Sequence, residues 1–192
     1  TRKSALREVT LKIHNGDSLG VIGTSGAGKT TLIDLLMGLL ETNEGKILLD
    51  NQPLSGEILH QWRSQTAYLP QQIFLIDDSL KKNVALGIPD EKIDIEKVES
   101  ALKQAQLFSL LDQFTQGIET VIGERGIRLS GGQRQRVALA RAFYHDRDVL
   151  IMDEATNSLG NETEKEIVSE IQRLKGQKTL IIIAHNLTTI QY

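Results

Sequence analysis

The stretch Gly23-Thr-Ser-Gly-Ala-Gly-Lys-Thr-Thr31 lies between an apolar segment, Leu19–Ile22, and an apolar run, Leu32–Leu40. It places two glycines five positions apart and follows them with Lys29 and Thr30. This spacing is typical of a phosphate-binding loop between a strand and a helix, where glycines let backbone N–H groups curl around phosphate oxygens. We therefore expect the chain to bind a nucleoside triphosphate. The binding residues of the loop would be Gly23, Thr24, Ser25, Gly26, Ala27, Gly28, Lys29, Thr30 and Thr31.

Two side chains of this loop have predicted roles of their own. Lys29 can reach the β- and γ-phosphates, and the Thr30 hydroxyl can coordinate Mg²⁺. The alternative is an ordinary Gly-rich turn between a strand and a helix. The pattern would arise by chance in a chain of this length less than about once in a hundred, so the phosphate-binding interpretation is preferred.

Composition restricts the classes of protein that the chain can represent. Its 192 residues fit one large domain or a domain with a subdomain. The net charge of −3 gives no electrostatic reason to expect nucleic acid as a main partner. There are no cysteines, which excludes disulfides and thiolate metal sites. The longest apolar runs are too short to span a bilayer, so a membrane role would require a partner or another segment.

The two ends of the chain resemble cut ends. It begins without a methionine, enters a predicted strand almost at once, and stops shortly after another predicted strand. We therefore expect it to be a piece of a longer protein.

Apolar patterning predicts six strands. Val9, Leu11 and Ile13 alternate with polar residues, which indicates a half-buried strand closed by a turn at Asn15-Gly16. The other predicted strands are Leu19–Ile22, Lys46–Leu49, Thr66–Leu69, Val149–Met152 and Thr179–Ala184.

Helical patterns alternate with these strands. Gly28–Leu40 is apolar on most sides, which predicts a helix packed against a sheet inside the fold. A helical stretch without strands is expected from about Ser79 to Phe114, with a break at Pro89-Asp90 and with Val98, Ala101, Leu102 and Ala105 at helical spacing. Further helices are predicted from Ser130 to about Tyr144 and over Glu162–Leu174. The alternation predicts an α/β fold with a mainly parallel sheet, helices on both faces and a separate helical subdomain.

A second group of polar residues follows the buried strand Val149-Leu-Ile-Met-Asp153-Glu154. Ligands of parallel sheets bind at the carboxyl ends of the strands. On a strand neighbouring that of the phosphate loop, Asp153 could hold Mg²⁺ through water and Glu154 could polarise the attacking water. A solvated strand end is the alternative, but the phosphate loop favours the catalytic interpretation.

The stretch Leu129-Ser-Gly-Gly-Gln133 predicts a second helix end that can bind an anion. Ser130 is a good N-cap, and the glycines place backbone N–H groups at the start of a helix. A plain capped helix would explain Ser130 but not the two glycines followed by Gln-Arg-Gln-Arg.

With these motifs, the chain resembles the ATP-binding cassette family, the nucleotide-binding domains of ABC transporters. Its P-loop NTPase fold would comprise an α/β core, a small antiparallel β edge and a helical subdomain. Gly23–Thr31 is similar to Walker A and Asp153 to the Walker B aspartate. Leu129–Gln133 is similar to the signature motif, whose residues Ser130, Gly131, Gly132 and Gln133 would contact ATP. The resemblance implies ATP and Mg²⁺ as cofactors.

Further site residues follow from the same resemblance. Glu154 would be the catalytic glutamate, and His185 a switch histidine that senses the γ-phosphate. Gln71, in Tyr68-Leu-Pro-Gln71, would be the Q-loop glutamine, with catalytic and metal-binding roles. The metal ligands would then be Thr30, Gln71 and Asp153. Taken alone, Gln71 could be a plain loop amide and His185 a satisfied strand-end histidine.

The resemblance also implies an assembly. Residues 1–70 and 147–192 would form the ATP-binding core, and about 71–146 the Q-loop, helical subdomain and signature helix. Two copies would pack head-to-tail around ATP and act on a transmembrane domain of the same or a partner chain. The domain would lie on the cytoplasmic face of the inner membrane, and no nucleic acid is expected.

Three segments resemble exporters in particular: the loop Thr120-Val-Ile-Gly-Glu-Arg-Gly126, the opening Ala5-Leu-Arg-Glu-Val9 and the stretch Gln72-Ile-Phe-Leu75. They imply ATP-powered export or flipping of a substrate by a bacterial half-transporter of the lipid or multidrug kind. The alternatives are a soluble ABC ATPase that is not coupled to transport and a degenerate, nucleotide-gated regulatory cassette.

The chain departs from the family pattern in three respects. Gly160 stands where an aspartate is usual, and Asn186 stands where an arginine usually follows the switch histidine. The aromatic residue that stacks on adenine would lie upstream of Thr1.

Overall fold

The computed structural model of the chain describes residues 4–124, 127–153 and 161–184, without the side chains of residues 161–166 and 184. These residues fall into two compact units. Unit 1 comprises residues 4–68, 147–153 and 175–184, and unit 2 comprises residues 69–124, 127–146 and 161–174. No helix among these residues combines the length and apolar character needed to cross a membrane.

Unit 1 is organised around a four-stranded sheet in the order β1-β8-β7-β4, in which β1 and β7 both pair with β8 in parallel. Strands β2 and β3 form a separate antiparallel pair. The elements of this unit are β1 (Ser18–Ile22), α1 (Lys29–Leu36), β2 (Leu48–Leu49), β3 (Gln52–Pro53), α2 (Gly56–Gln65), β4 (Thr66–Leu69), β7 (Val149–Asp153) and β8 (Thr179–Ala184).

The core of unit 1 lies between the sheet and α1. Every residue of β7 is buried, as expected for a central strand covered on both faces. Successive side chains of a strand point to opposite faces, so alternate residues of β7 and β8 share one face. On that face Val149 and Ile151 pack with Ile181 and Ile183 against Ile33 of α1. The parallel sheet that the sequence predicted is therefore confirmed.

Unit 2 consists mainly of helices, and α4 packs against α6. As predicted, Val98, Ala101, Leu102 and Ala105 are buried. The elements are β5 (Asp78–Ser79), α3 (Leu80–Val84), a 3₁₀ turn (Asp90–Lys92), α4 (Ile95–Gln104), α5 (Phe108–Leu111), a second 3₁₀ turn (Gly117–Glu119), β6 (Val121–Ile122), α6 (Gly131–His145) and α7 (Asn161–Arg173).

The strand predicted over Val9–Ile13 is wrong. These residues adopt no strand, and both Val9 and Leu11 are largely exposed. Alternation of apolar residues can form a strand only where a partner supplies the ladder of hydrogen bonds, and the segment has no such partner among the described residues. The turn at Asn15-Gly16 is present, closed by a 3.1 Å hydrogen bond from the Asp17 N–H to the His14 carbonyl oxygen.

The helix predicted over Gly28–Leu40 is shorter than expected, because α1 ends at Leu36. Gly38 follows in the left-handed region, with φ +64°, and Leu39 is 59 % exposed. Side chains of α2 bind the last carbonyl group of α1 and a carbonyl group that follows the helix. Trp62 Nε1 donates to the Leu36 oxygen at 2.7 Å, and Arg63 Nη2 donates to the Gly38 oxygen at 2.9 Å. The helix ends where another helix takes over its hydrogen bonds.

Two smaller predictions also need correction. The strand predicted over Lys46–Leu49 is reduced to the two residues of β2. The stretch from about Ser79 to Phe114 is not free of strands, because Ser79 ends β5, which pairs with β6 in an antiparallel ladder.

Candidate functional site

The loop Gly23–Gly28 joins the carboxyl end of β1 to the first turn of α1. Gly26 and Gly28 have φ values of +80° and +91°, which a residue with a side chain rarely adopts. The Ala27 N–H donates to the Thr24 carbonyl oxygen at 3.2 Å and closes the loop on itself. Residues 24–27 are exposed, so the loop presents its backbone to solvent.

Gly28 is required for its small size as well as for its backbone conformation. A Cβ atom at this position would lie 2.8 Å from the Ala5 carbonyl oxygen and 2.9 Å from Leu6 Cδ2. The glycine therefore lets the start of α1 pack directly against the segment at residues 5–6.

Lys29 is half-buried, and its ammonium group lies over the loop itself. Nζ donates to the Gly23 carbonyl oxygen at 2.7 Å and to the Thr24 carbonyl oxygen at 3.0 Å. A carbonyl oxygen is a weaker partner for an ammonium group than a phosphate oxygen, because the phosphate carries charge. The two bonds place the cation where a phosphate held by this loop would need it.

The N-cap of α1 is Gly28, and no side chain of the described residues caps the first turn of this helix. Backbone N–H groups at a helix N-terminus are a natural site for an anion. Thr30 is exposed in this turn, so its hydroxyl is accessible to a ligand. The loop and the turn together fit the phosphates of a nucleotide.

Asp153 is 6 % exposed and ends β7 at the same edge of the sheet. It lies opposite Ile183 of β8, and the next residue, Ala184, lies opposite Ile22 of β1. One part of the prediction needs correction: β8 lies between β1 and β7, so the two site-bearing strands are not neighbours. The carboxylate is therefore about 10 Å, or two strand spacings, across the sheet from the strand that leads into the loop.

Tyr68 is a residue of this edge that the sequence analysis missed. It lies on β4, the strand next to β7, and packs half-buried against the core cluster. Burial, and then the negative charges of Asp153 and Asp34, raise the pKa of Tyr68 to about 12. Its position at the end of a predicted strand, three residues before Gln71, could have indicated its proximity to the site.

The signature stretch begins α6 with a reciprocal cap. Ser130 Oγ accepts a hydrogen bond from the Gln133 N–H at 3.2 Å, and Gln133 Oε1 accepts one from the Ser130 N–H at 2.8 Å. Ser130 and Gly131 are exposed, and Gly132 and Gln133 are half-buried. Since the hydroxyl accepts within the cap, its own hydrogen can be donated to a ligand.

The predicted site residues are divided between the two units. The phosphate loop and Asp153 belong to unit 1, while Gln71 and Ser130–Gln133 belong to unit 2. Gln71 is exposed. Glu154 and His185 lie outside the described residues, as do Gly160 and Asn186.

The donor set at this edge fits a hydrated divalent ion held together with phosphates. Within residues 4–124, 127–153 and 161–184, no three His, Cys, Asp or Glu side chains group together to hold a metal. Mg²⁺ is usually bound by one or two carboxylates, waters and substrate phosphates. Thr30 and Asp153 offer a hydroxyl and a carboxylate of that kind.

A protein-family model described as "ABC transporter" matches residues 6–157. The matched segment spans the phosphate loop, the signature stretch and Asp153.

Curated relatives are similar to the chain along nearly its whole length. It is 43% identical over 190 residues to a protein of Cupriavidus metallidurans named ATP-dependent lipid A-core flippase, covering 98% of the chain and 32% of that protein. It is 41% identical over 186 residues to a protein of the same name from Alkalilimnicola ehrlichii, covering 97% of the chain and 31% of that protein. The chain thus spans about a third of the length of these relatives.

A solved structure shares the fold. It is described as a bacterial Atm1-family ABC exporter with ATP bound, and it superposes with a TM-score of 0.89 at 34% sequence identity. The match covers 98% of the chain and 32% of that exporter.

Proposed function

Because the chain belongs to the ABC transporter family, we propose that it binds and hydrolyses ATP as the nucleotide-binding domain of an exporter. The observation that carries the proposal is the exposed loop Gly23–Gly28, with Lys29 folded over it and Asp153 at the same edge of the sheet. The names of the relatives and of the similar structure favour an exporter over a soluble ATPase.

In this proposal the loop binds the phosphates through its backbone. The N–H groups of Gly23–Thr31 donate to phosphate oxygens, and the uncapped first turn of α1 adds the positive end of its dipole. Lys29 exchanges its two carbonyl partners for the β- and γ-phosphate oxygens. Its bonds then connect two charged groups, which strengthens them.

Thr30, Asp153 and Gln71 are the proposed ligands of Mg²⁺. When bound, the ion would neutralise charge on the β- and γ-phosphates. Asp153 is buried at the end of a strand buried on both faces, which fixes its backbone and limits its side-chain freedom. The negative charge of Asp153 helps to raise the pKa of Tyr68, so the protonation of Tyr68 would respond to a cation bound by Asp153.

Hydrolysis is assigned to residues that follow β7 and β8. Glu154, next to Asp153, would accept a proton from the attacking water, and His185, next to Ala184, would contact the γ-phosphate. Both follow strands whose last residues are adjacent in register, Asp153 opposite Ile183 and Ile22 opposite Ala184. Strand order thus supports a common edge for the two groups. Gln71 would contribute to the same reaction from unit 2.

The partner in this proposal is a second nucleotide-binding domain, packed head-to-tail. Ser130 and the N–H groups of Gly131 and Gly132 form an exposed helix start, suited to the phosphates bound by the partner. Residues 1–70 and 147–192 would form the ATP-binding core, with the Q-loop, helical subdomain and signature helix between them.

The substrate and membrane placement are proposed from the relatives. ATP hydrolysis would power export or flipping of a lipid-like substrate by a transmembrane domain of the same or a partner chain. The nucleotide-binding domain would then lie on the cytoplasmic face of the membrane.

The proposal is tested by measuring phosphate release by the chain with ATP in the presence and absence of Mg²⁺. We expect Mg²⁺-dependent turnover, and an ATP affinity that a separate binding titration can measure. A chain that binds no ATP at millimolar concentration would overturn the proposal. For the exporter role, we expect a reading frame that encodes hydrophobic transmembrane helices, either the frame of this chain or an adjacent one. If neither frame encodes such helices, the exporter role is overturned.

A further inference from the structure

Arg141, in the C-terminal half of α6, donates hydrogen bonds to three oxygen atoms. One belongs to Phe74, and two belong to Asn83 of α3. Its Nη1 donates to the Phe74 carbonyl oxygen at 2.7 Å. Its Nε donates to the Asn83 carbonyl oxygen at 2.6 Å, and its Nη2 donates to Asn83 Oδ1 at 2.9 Å. A guanidinium group is planar and carries five N–H donors, so it can bond to two backbone carbonyl oxygens and a side-chain amide oxygen at once.

In the part of the chain that the structure describes, the hydrogen-bond partners of the Arg141 guanidinium are neutral. Among the described residues it makes no ion pair, and burial lowers the pKa of Arg141 to about 10. Arg141 is half-buried, and a partly desolvated cation without a counter-ion stabilises a fold less than a well-packed neutral side chain does. We therefore explain Arg141 by the positions in which it holds Phe74 and Asn83, and not by a contribution to the free energy of unfolding.

Asn83 extends the contact into the segment. It is fully buried, and its Nδ2 donates to the carbonyl oxygens of Ile76, Asp78 and Ser79 at 3.0, 3.2 and 3.1 Å. Its Oδ1 accepts from the Ile76 N–H at 3.0 Å. Residues 74–79, hereafter the post-glutamine segment because they follow Gln71, are therefore held by two side chains, Arg141 and Asn83.

The far end of this segment is bound to the loop that precedes α6. Asp78 and Ser79 pair with Ile122 and Val121, and the Leu80 N–H donates to the Thr120 oxygen at 2.9 Å. The post-glutamine segment thus contacts α6 through Arg141 and pairs with β6, the strand that precedes α6 in the chain. Its Phe74 side chain is 74 % exposed, so the segment also faces outward.

We infer that Arg141 is a positioning residue that makes the post-glutamine segment and the signature helix α6 one mechanical body. A partner that displaces Phe74 would then also move the Ser130 end of α6. The mechanical part stands on the hydrogen bonds alone. Its consequence for hydrolysis rests on the proposed function, because it uses Ser130 as a contact to ATP.

Hydrogen exchange with the variant Arg141→Lys tests the mechanical part. Lysine keeps the charge but cannot bond to Phe74 and both oxygens of Asn83 together. We expect amide exchange over residues 74–79 to be at least about tenfold faster, which corresponds to about 1.4 kcal/mol of lost local protection. Exchange within residues 134–145 should stay at the parent rate.

The matched control is Arg136→Lys. Arg136 lies on the same helix and donates from Nη1 to the Gln106 carbonyl oxygen at 2.7 Å, away from the post-glutamine segment. It should leave exchange at residues 74–79 unchanged. Equal exchange in the parent and in folded Arg141→Lys would overturn the inference. If Arg141→Lys does not fold, Arg141→Gln replaces it. Glutamine has one amide nitrogen in place of the guanidinium and cannot form all three hydrogen bonds, so unchanged exchange in that variant would again overturn the inference.

Steady-state ATPase measurements separate positioning from a purely structural role. We expect Arg141→Lys to lower kcat about fivefold and to leave KM for MgATP within about twofold, because the phosphate loop of the proposed ATP site belongs to unit 1. Faster exchange with unchanged kcat would limit Arg141 to a structural role and overturn its positioning role. A parent chain that binds no ATP would reject the proposed function, and the exchange experiment would still decide the mechanical part.

Discussion

Lys29 is hydrogen-bonded to the loop that precedes it, with Nζ 2.7 Å from the Gly23 carbonyl oxygen. The ammonium group is therefore already positioned over the loop and does not have to be drawn in from solvent. Because the side chain is already ordered, the entropic cost of binding a phosphate is lower.

Lys29→Ala should weaken binding of MgATP strongly. Charge-assisted bonds to phosphate are worth about 1.5–3 kcal/mol each, which corresponds to a loss of affinity of roughly tenfold to more than a hundredfold. Calorimetric titration measures the effect. Lys46→Ala, at an exposed position of the same unit, is the control and should bind as the parent does. Equal affinities in the Lys29 variant and the parent would contradict the assignment of the loop.

Gly28→Ala should destabilise unit 1 and disturb the loop. Alanine would have to adopt the left-handed backbone conformation of Gly28, with φ +91°. Its methyl group would also lie 2.8 Å from the Ala5 carbonyl oxygen. We expect a loss of roughly 2–4 kcal/mol in unfolding free energy, measured by urea denaturation.

Gly45→Ala is the matched control for Gly28→Ala. Gly45 also has a positive φ, +82°, but apart from its chain neighbours no atom of the described residues lies within 4 Å of the position that an added methyl group would take. It should lose only about 1–2 kcal/mol for the backbone conformation. Equal losses in the two variants would show that packing against residues 5–6 contributes nothing.

Asp153→Asn should make Tyr68 easier to ionise. The carboxylate helps to raise the pKa of Tyr68 to about 12, so its removal should lower that pKa. A titration of ¹³C-labelled tyrosine rings by NMR measures the shift. An unchanged Tyr68 titration would contradict the electrostatic contact between β4 and β7.

The same pKa predicts how stability changes in alkali. Unfolded tyrosine titrates near about pH 10, while folded Tyr68 titrates near about 12. The folded state therefore holds more protons in this range, and its unfolding free energy should fall as the pH rises from 10 to 12. The fall should be smaller in Tyr68→Phe, as measured by denaturation at each pH. Identical slopes in the two proteins would reject the raised pKa.

Glu154→Gln should bind ATP and stop turnover. The amide can still hydrogen-bond a water molecule but accepts its proton far less readily. An ATP-bound dimer should then accumulate and elute early in size-exclusion chromatography with ATP. A Gln variant that stays active and monomeric would exclude Glu154 from the catalytic role.

Specific ATPase activity should rise with protein concentration. A second copy has to supply Ser130, and without a transmembrane domain its effective concentration is only its bulk concentration. A dilution series over about a hundredfold, at saturating MgATP, measures this dependence. Flat specific activity together with an unimpaired Ser130→Ala variant would refute the head-to-tail dimer.

Several features of the fold were predictable because they depend on residues close together in the chain. The glycine spacing of the phosphate loop, the N-cap at Ser130 and the buried strands β7 and β8 are of this kind. Local sterics, helix capping and the two-residue period of a strand act over a few residues, and a single sequence displays them directly.

Alternation and apolar content were less informative where the outcome depended on a distant partner. Val9–Ile13 has the pattern of a strand but has no partner strand among the described residues. The end of α1 is fixed by Trp62 and Arg63, more than twenty residues away. No local pattern contains the position of those side chains.

The sequence by itself determined that this chain carries a phosphate loop, a strand ending in Asp153 and a capped signature helix, since each is encoded by consecutive residues. Tertiary structure alone decided that β8 separates β1 from β7, that Tyr68 lies near Asp153, and that Arg141 holds the post-glutamine segment. These relations join residues far apart in the chain. They are decided by which surfaces bury and which hydrogen bonds are satisfied when the whole chain packs.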